Sequence, residues 1–360
     1  MDLEDWFDTY QYEIEYDIGE SAVKTLSVQD LGINLENIFL RYGYHRGRPD
    51  LREKIAQLYP GFSRDNIIVT TGASEANFVI VSSLVKPGDH VVIEHPNYPS
   101  NYQVPRSFGC EVSLFTLKFE HQFKPVLEEL EALIKPDTKL ISLTHPNNPT
   151  GSMISEDDLT KIVQLVESNK TYLLFDETYR EMDFDRTLPP AATLSPRVIS
   201  ISSLSKSYGL PGLRLGWLAT QDSFLLDSAL AVREQVSIAN NALSEEMALR
   251  VLTKKDHFIQ MARKRIENNR NIVSGWMQDK ADFEWVYPEA GVVCFPRIKQ
   301  HVNVEPERLF RLLAEKYKTF VVPGRCFEME NSHFRVGFGA EPEEIKAGLE
   351  NLKRALDDFL

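Results

Sequence analysis

From Asn66 onward, short runs rich in β-branched residues alternate with stretches that carry apolar side chains at helical spacing. The runs are Ile67–Thr70, Pro87–Glu94, Cys110–Thr116, Lys139–Leu143, Thr171–Phe175 and Val198–Ile201. Successive strands joined by helices pair in parallel, because a parallel crossover needs a dozen or more residues to return to the starting edge. The expectation is an α/β fold: a large domain with a mostly parallel sheet flanked by helices, spanning 45–245. From Ser244 a long helix (Met247, Val251, Phe258, Met261, Ile266) is predicted to carry the chain onward. Short strands at Phe283–Tyr287, Gly291–Phe295 and Thr319–Val322, and a helix from Pro342, then predict a smaller α+β domain built from 1–44 and 246–360. Leu3, Trp6, Phe7 and Tyr10 fall on one face of an opening helix expected to pack there.

With 360 residues, 42% of them hydrophobic, the chain can bury a substantial core in two domains sharing a cleft. A formal net charge of −13 argues against a nucleic-acid surface. No apolar run reaches membrane-spanning length and the opening Met1-Asp-Leu-Glu-Asp5 lacks a basic start, so a cytoplasmic location is the default expectation. Cys110, Cys294 and Cys326 are too dispersed for a ligand or redox motif, and the histidines lack ligand spacing, so no metal is expected.

The chemistry gathers where predicted strands end. After Val198–Ile201 come Ser203, Ser205 and a single amine, Lys206, before Gly209, Pro211 and Gly212 turn the chain; Arg214 follows within reach of the same anion as the hydroxyls. Thr71-Gly72-Ala73-Ser74 opens a helix whose free N–H groups suit a phosphate. Pro96 and Pro99 aim the ring of Tyr98. Asn148 sits in a turn at the end of Lys139–Leu143, in the crevice where open α/β sheets bind ligands. Asp176 ends a buried strand, where a carboxylate needs a cation, and Tyr179 follows three residues later. Arg335 alternates with Phe334 and Val336, on the opposite side of its strand.

Ser203-Leu-Ser-Lys-Ser-Tyr-Gly-Leu-Pro-Gly-Leu-Arg-Leu-Gly-Trp217, Asn148-Pro-Thr-Gly151 and the Asp176 segment, in this order and at these intervals, closely resemble the class I and II aminotransferases. These are pyridoxal-phosphate enzymes of fold type I, and the match covers nearly the whole chain. The resemblance implies that Lys206 forms an aldimine with the cofactor and that Asp176 pairs with the pyridine nitrogen. It implies that Asn148 and Tyr179 contact the phenolic oxygen, that Tyr98 stacks on the ring, and that Gly72, Ala73, Ser74, Ser203 and Arg214 hold the phosphate. It further implies that Arg335 forks onto the substrate α-carboxylate, with Gly19 and Asn148 lining the substrate side. Arg41-Tyr-Gly-Tyr44 implies a homodimer in which Tyr42 reaches the neighbouring site, with Tyr44 as a rival for that role.

On this resemblance the expected activity moves an amino group from an amino acid to a 2-oxo acid. Leu3-Glu-Asp-Trp6 together with the lysine segment also looks like capreomycidine synthase, a branch of the fold that replaces a β-substituent by cyclisation. β-Elimination or β-replacement is therefore the rival chemistry, and a catalytically silent cofactor-binding sensor domain is a third reading. Gln235–Ala242, where aspartate-specific relatives donate a second arginine, contains none.

Overall fold

A computed structural model of the protein describes residues 1–36, 38–184, 188–278 and 280–359. Seven strands form its central sheet: β1 (Ile67–Thr70), β2 (His90–His95), β3 (Glu111–Thr116), β4 (Thr138–Thr144), β5 (Tyr172–Asp176), β6 (Val198–Ser203) and β7 (Gly216–Ala219). Their spatial order is β1-β7-β6-β5-β4-β2-β3, and only β7 runs antiparallel to its neighbours. This is the mostly parallel α/β sheet expected from the sequence.

Both faces of the sheet are covered, so its central strands read as continuous apolar runs rather than as alternating ones. The period of two survives in where each side chain goes. Ile68, Val91, Ile93, Leu140, Leu174, Ile199 and Leu218 enter one core. Ile67, Val69, Val92, Ile141, Leu173, Phe175 and Trp217 enter the other. The first core is closed by helix Ser223–Val236 and by the helix that follows β1, Gly72–Leu84.

The opening helix Asp2–Tyr10 buries Leu3 and Trp6, as its spacing predicts, and Trp6 Nε1 donates to the Val321 carbonyl at 2.9 Å. Tyr16–Asp17 pairs in parallel with Thr319–Phe320. Phe334–Gly337 is the middle of a three-stranded antiparallel sheet with Val293–Cys294 and Val322–Pro323. The closing helix Pro342–Asp357 buries Ile345, Leu349, Leu352 and Leu356.

The long helix expected from Ser244 is two helices, Ala242–Thr253 and Lys255–Gln278. Lys254 leaves helical geometry (φ −113°, ψ 25°), and Met261 is 56% exposed instead of joining the buried stripe. Among the described residues no helix is long and apolar enough to cross a membrane.

Candidate active site

Every strand but β7 points its carboxyl end to one edge of the sheet, and the residues that follow those ends meet there around a cavity of about 240 Å³. Lys206 comes three residues after β6, Asp176 is the last residue of β5, and Asn148 and Tyr98 lie in the loops after β4 and β2. Ala73 and Ser74 begin the helix after β1, and Arg214 precedes β7. The topology thus delivers seven predicted residues to one place.

The end of the helix after β1 is a close fit of backbone to backbone. Thr71, at the N-cap of helix Gly72–Leu84, makes no side-chain cap, so the first-turn amides of that helix are available to a ligand. A Cβ on Gly216 would lie 2.6 Å from the Gly72 carbonyl carbon and 2.7 Å from the Ala73 nitrogen, so only glycine lets β7 approach this helix end. A Cβ on Gly72 would likewise meet Arg214 Nη2 at 2.6 Å. Arg214 itself holds a left-handed backbone (φ 49°), and its Nη1 donates to the Pro211 carbonyl at 3.1 Å. A non-glycine residue in that region stores strain of the kind found at ligand sites.

The lysine loop is pinned to an N-terminal segment far away in sequence. Val23 N donates to the Lys206 carbonyl at 3.1 Å, and Leu26 N to the Gly209 carbonyl at 2.9 Å. This pairing brings Glu20 and Ser21 to the lysine. Lys206 Nζ donates to Glu20 Oε1 at 2.9 Å, and the Tyr179 hydroxyl donates to the Ser21 carbonyl at 3.0 Å. Burial alone would raise the Glu20 carboxyl, but the charges of Lys206 and Arg335 outweigh it and hold it down at about 2. Burial works against the charged Lys206 amine, yet Glu20 raises it above the ordinary lysine range.

Arg335 is 1% exposed, so it is no surface-strand arginine. Its Nε donates to the Gly19 carbonyl and its Nη1 to Asn148 Oδ1, both at 3.0 Å. Its buried Nη2 has no hydrogen-bond partner among the described residues. A buried donor with no acceptor is costly, and one facing a cavity is a place for a ligand oxygen. Asp176 accepts from Thr178 N at 2.9 Å, and burial pushes its carboxyl up. A carboxylate there gains from a cationic partner.

Gly19 and Gly72 are not among the residues lining the cavity; Gly19 holds Arg335 through its carbonyl, and Gly72 makes room for Arg214. Tyr98 lines the cavity, but its hydroxyl donates to Glu4 Oε1 at 2.8 Å. Ser203 lines the cavity as well. Tyr42 lies apart, 85% exposed, beside Phe39, Arg41 and Tyr44 in a separate concavity. Sequence reading missed Glu4, Phe7, Glu20 and Thr178, all of which line the site. For Glu4 and Phe7 a signal existed, since they stand three apart on the opening helix.

The class I and II aminotransferase family model matches residues 10–352. The chain belongs to this family. Capreomycidine synthase of Streptomyces vinaceus is 30% identical to this class I and II aminotransferase chain over 98% of its length and 93% of the relative's. A pyridoxal-phosphate-dependent aminotransferase structure from Streptococcus suis superposes with a TM-score of 0.94 at 30% identity, over 99% of this chain and 97% of that one. The structure of the pyridoxal-phosphate-dependent cyclase OrfR superposes with a TM-score of 0.92 at 27% identity, over 99% and 97%. The fold is fold type I and the cofactor is pyridoxal phosphate. The residues present fit it: an uncapped helix end with Arg214 for a phosphate, a carboxylate at the end of β5, and a single amine between them.

Proposed function

We propose that the protein is an aminotransferase that moves an amino group from an amino acid to a 2-oxo acid. The observation that carries this reading is that Lys206 and Arg335 line one cavity and that the buried Nη2 of Arg335 has no hydrogen-bond partner among the described residues. When bound, pyridoxal phosphate supplies an aldehyde and an electron-accepting ring. In this reading Ala73, Ser74, Ser203 and Arg214 hold its phosphate, and Asp176 keeps a proton on its ring nitrogen. Asn148 and Tyr179 set its phenolic oxygen, with Tyr98 against its face. Arg335 takes the substrate α-carboxylate with the donor that nothing else uses. Lys206 then has two tasks, attachment of the cofactor and transfer of the α-proton, and Glu20 at 2.9 Å favours the proton-carrying state of its amine.

Substrate choice follows from charge balance. Arg214 answers a phosphate, Asp176 a ring nitrogen and Arg335 an α-carboxylate, and Glu20 is paired with Lys206, which leaves the carboxylate of Glu4 in the same cavity without a cation. An amino acid with a cationic side chain supplies it. A second reading, β-elimination or β-replacement on the same cofactor, is favoured by Glu20, a carboxylate that favours the proton-bearing Lys206 amine, the group from which a leaving group would take its proton. It is also supported by the likeness to capreomycidine synthase and the cyclase.

In this proposal the molecule divides into 45–245 and 1–44 with 246–360, consistent with the Tyr16–Asp17 and Thr319–Phe320 pairing. A second copy covers the exposed Phe39, Leu40, Tyr42 and Tyr44 in a homodimer. The deciding experiment screens amino donors on purified holoprotein while separating keto acid from ammonia or cyclic product. Keto acid formed in step with an aminated acceptor supports transamination; ammonia or a cyclic product without it selects the second reading. Borohydride fixation of the cofactor to a peptide lacking Lys206 would sink both.

A further inference from the structure

Glu94 is 0% exposed, yet it is absent from the cavity wall. It is the penultimate residue of β2, and it gathers the two loops on which Tyr98 and Asn148 stand. Oε2 accepts from Thr144 N at 2.9 Å, from Asn147 Nδ2 at 3.0 Å and from Asn97 Nδ2 at 3.4 Å. Oε1 lies 2.8 Å from His145 Nε2, at ion-pair distance though off the hydrogen-bonding line of the ring, and both side chains are fully buried.

Each of these neighbours leads to a cofactor-facing group. Asn97 Oδ1 accepts from Tyr98 N at 2.8 Å, and the same oxygen accepts from the Thr144 hydroxyl at 2.9 Å. Asn147 immediately precedes Asn148, and its Nδ2 also donates to the Pro96 carbonyl at 3.2 Å, tying the β2 loop to the β4 loop. His145 N donates to the Asp176 carbonyl at 3.1 Å, and its ring stacks on Phe175 at 5.8 Å with the planes 22° apart. Thr144 is the register partner of Asp176.

We infer that Glu94, paired with His145, is the positioning residue that holds Tyr98, Asn148 and Asp176 in one fixed arrangement around the cofactor ring. The physical ground is that a buried carboxylate must be met by donors, and those available here are the backbone and side chains of two different site loops. Satisfying one carboxylate therefore fixes both loops relative to β5. Removing it leaves the Thr144 N–H and the Asn147 amide buried without their acceptor, and both loops lose their common reference. The inference rests on the cofactor assignment and is independent of which reaction the enzyme carries out.

The test uses full-length Glu94→Leu, Glu94→Gln and His145→Asn, with His90→Asn as the control. His90 is a buried histidine at the opposite end of β2, where it bridges Thr138 and Ser113. Three readouts apply: melting temperature of the apoprotein, the dissociation constant for pyridoxal phosphate added to the apoprotein, and visible circular dichroism of the bound cofactor, which reports ring orientation. Glu94→Leu is expected to weaken cofactor binding ~10–100-fold, the scale seen when residues that orient metal ligands are removed. Its visible dichroism should change in size or sign. Glu94→Gln, which keeps an acceptor oxygen, should recover most of the affinity, and His145→Asn should fall between them. His90→Asn should lower the melting temperature while leaving the dissociation constant and the dichroism alone. If Glu94→Leu does not fold, Glu94→Gln and His145→Asn decide through the dichroism, which they must alter. The inference is overturned if all Glu94 and His145 variants bind cofactor within twofold of wild type with unchanged dichroism, or if His90→Asn reproduces their losses.

Discussion

Arg335 Nη1 donates to Asn148 Oδ1 at 3.0 Å, so the proposed substrate anchor and a proposed cofactor contact are one hydrogen-bonded unit. The planar fork leaves Nη2 for a ligand while Nε and Nη1 are held by protein. An ammonium cannot reproduce that division. Arg335→Lys should raise KM for the amino acid ~10-fold or more, the equivalent of one charged hydrogen bond at ~1.5–3 kcal/mol, with a smaller change in kcat. Steady-state kinetics that returned an unaltered KM would remove Arg335 from the carboxylate site.

Glu4 makes a direct prediction about the side chain of the substrate. Arginine and citrulline have nearly the same shape and differ in charge, so the wild type should bind arginine more tightly, judged by the change in cofactor absorbance on titration. Glu4→Gln should shrink that preference while leaving the affinity for alanine nearly unchanged. Equal affinity for arginine and citrulline in the wild type would refute the charge-balance argument.

Gly216 is required by proximity, since a Cβ there would press on Gly72 and Ala73. Gly216→Ala should cost ~1–3 kcal/mol in denaturant unfolding, as overpacking of a tight contact does. It should also weaken inhibition by inorganic phosphate, because the displaced helix end is the proposed anion cradle. A variant with normal stability and normal phosphate inhibition would show that the cradle tolerates a shift.

His333 is 2% exposed among Phe119, Phe123 and Phe295, and burial, reinforced by Arg297, holds its imidazole down at about 4. In the unfolded chain it takes up a proton near the ordinary value of ~6.5. Between these two values the unfolded state binds more protons, so stability is complete above pH ~6.5 and falls as the pH drops toward 4. The loss attributable to this residue is on the order of 3 kcal/mol. His333→Leu should flatten that part of the stability curve, as measured by urea unfolding at several pH values. If the slopes of the two proteins coincide, the proton uptake belongs to other groups.

Some of the site could be read directly from residue order. Lys206, Asp176 and Asn148 are each bound to the end of a strand, and strand ends in a parallel sheet share an edge whatever the packing. Arg335 could be placed on a strand, but its burial came from the three-stranded sheet around it. Glu20 could not be assigned a role, because it stands 186 residues from the lysine it touches. Glu94 read as an ordinary strand residue and His145 as part of a turn, since nothing local says that two buried side chains will meet. The split of the long helix at Lys254 was missed for the converse reason: its apolar spacing continues through a residue whose dihedrals do not.

The amino-acid sequence by itself determined six of the seven sheet strands, their parallel run and the small set of reactive residues at one edge, because hydrophobic period and turn residues act over a few positions. The tertiary structure alone decided the charge environment of those residues: which carboxylate faces Lys206, which donor of Arg335 stays open, and which buried acid holds the loops together. These depend on contacts between segments distant in the chain, where the low dielectric of the interior makes each pairing count and where order along the chain carries no distance information.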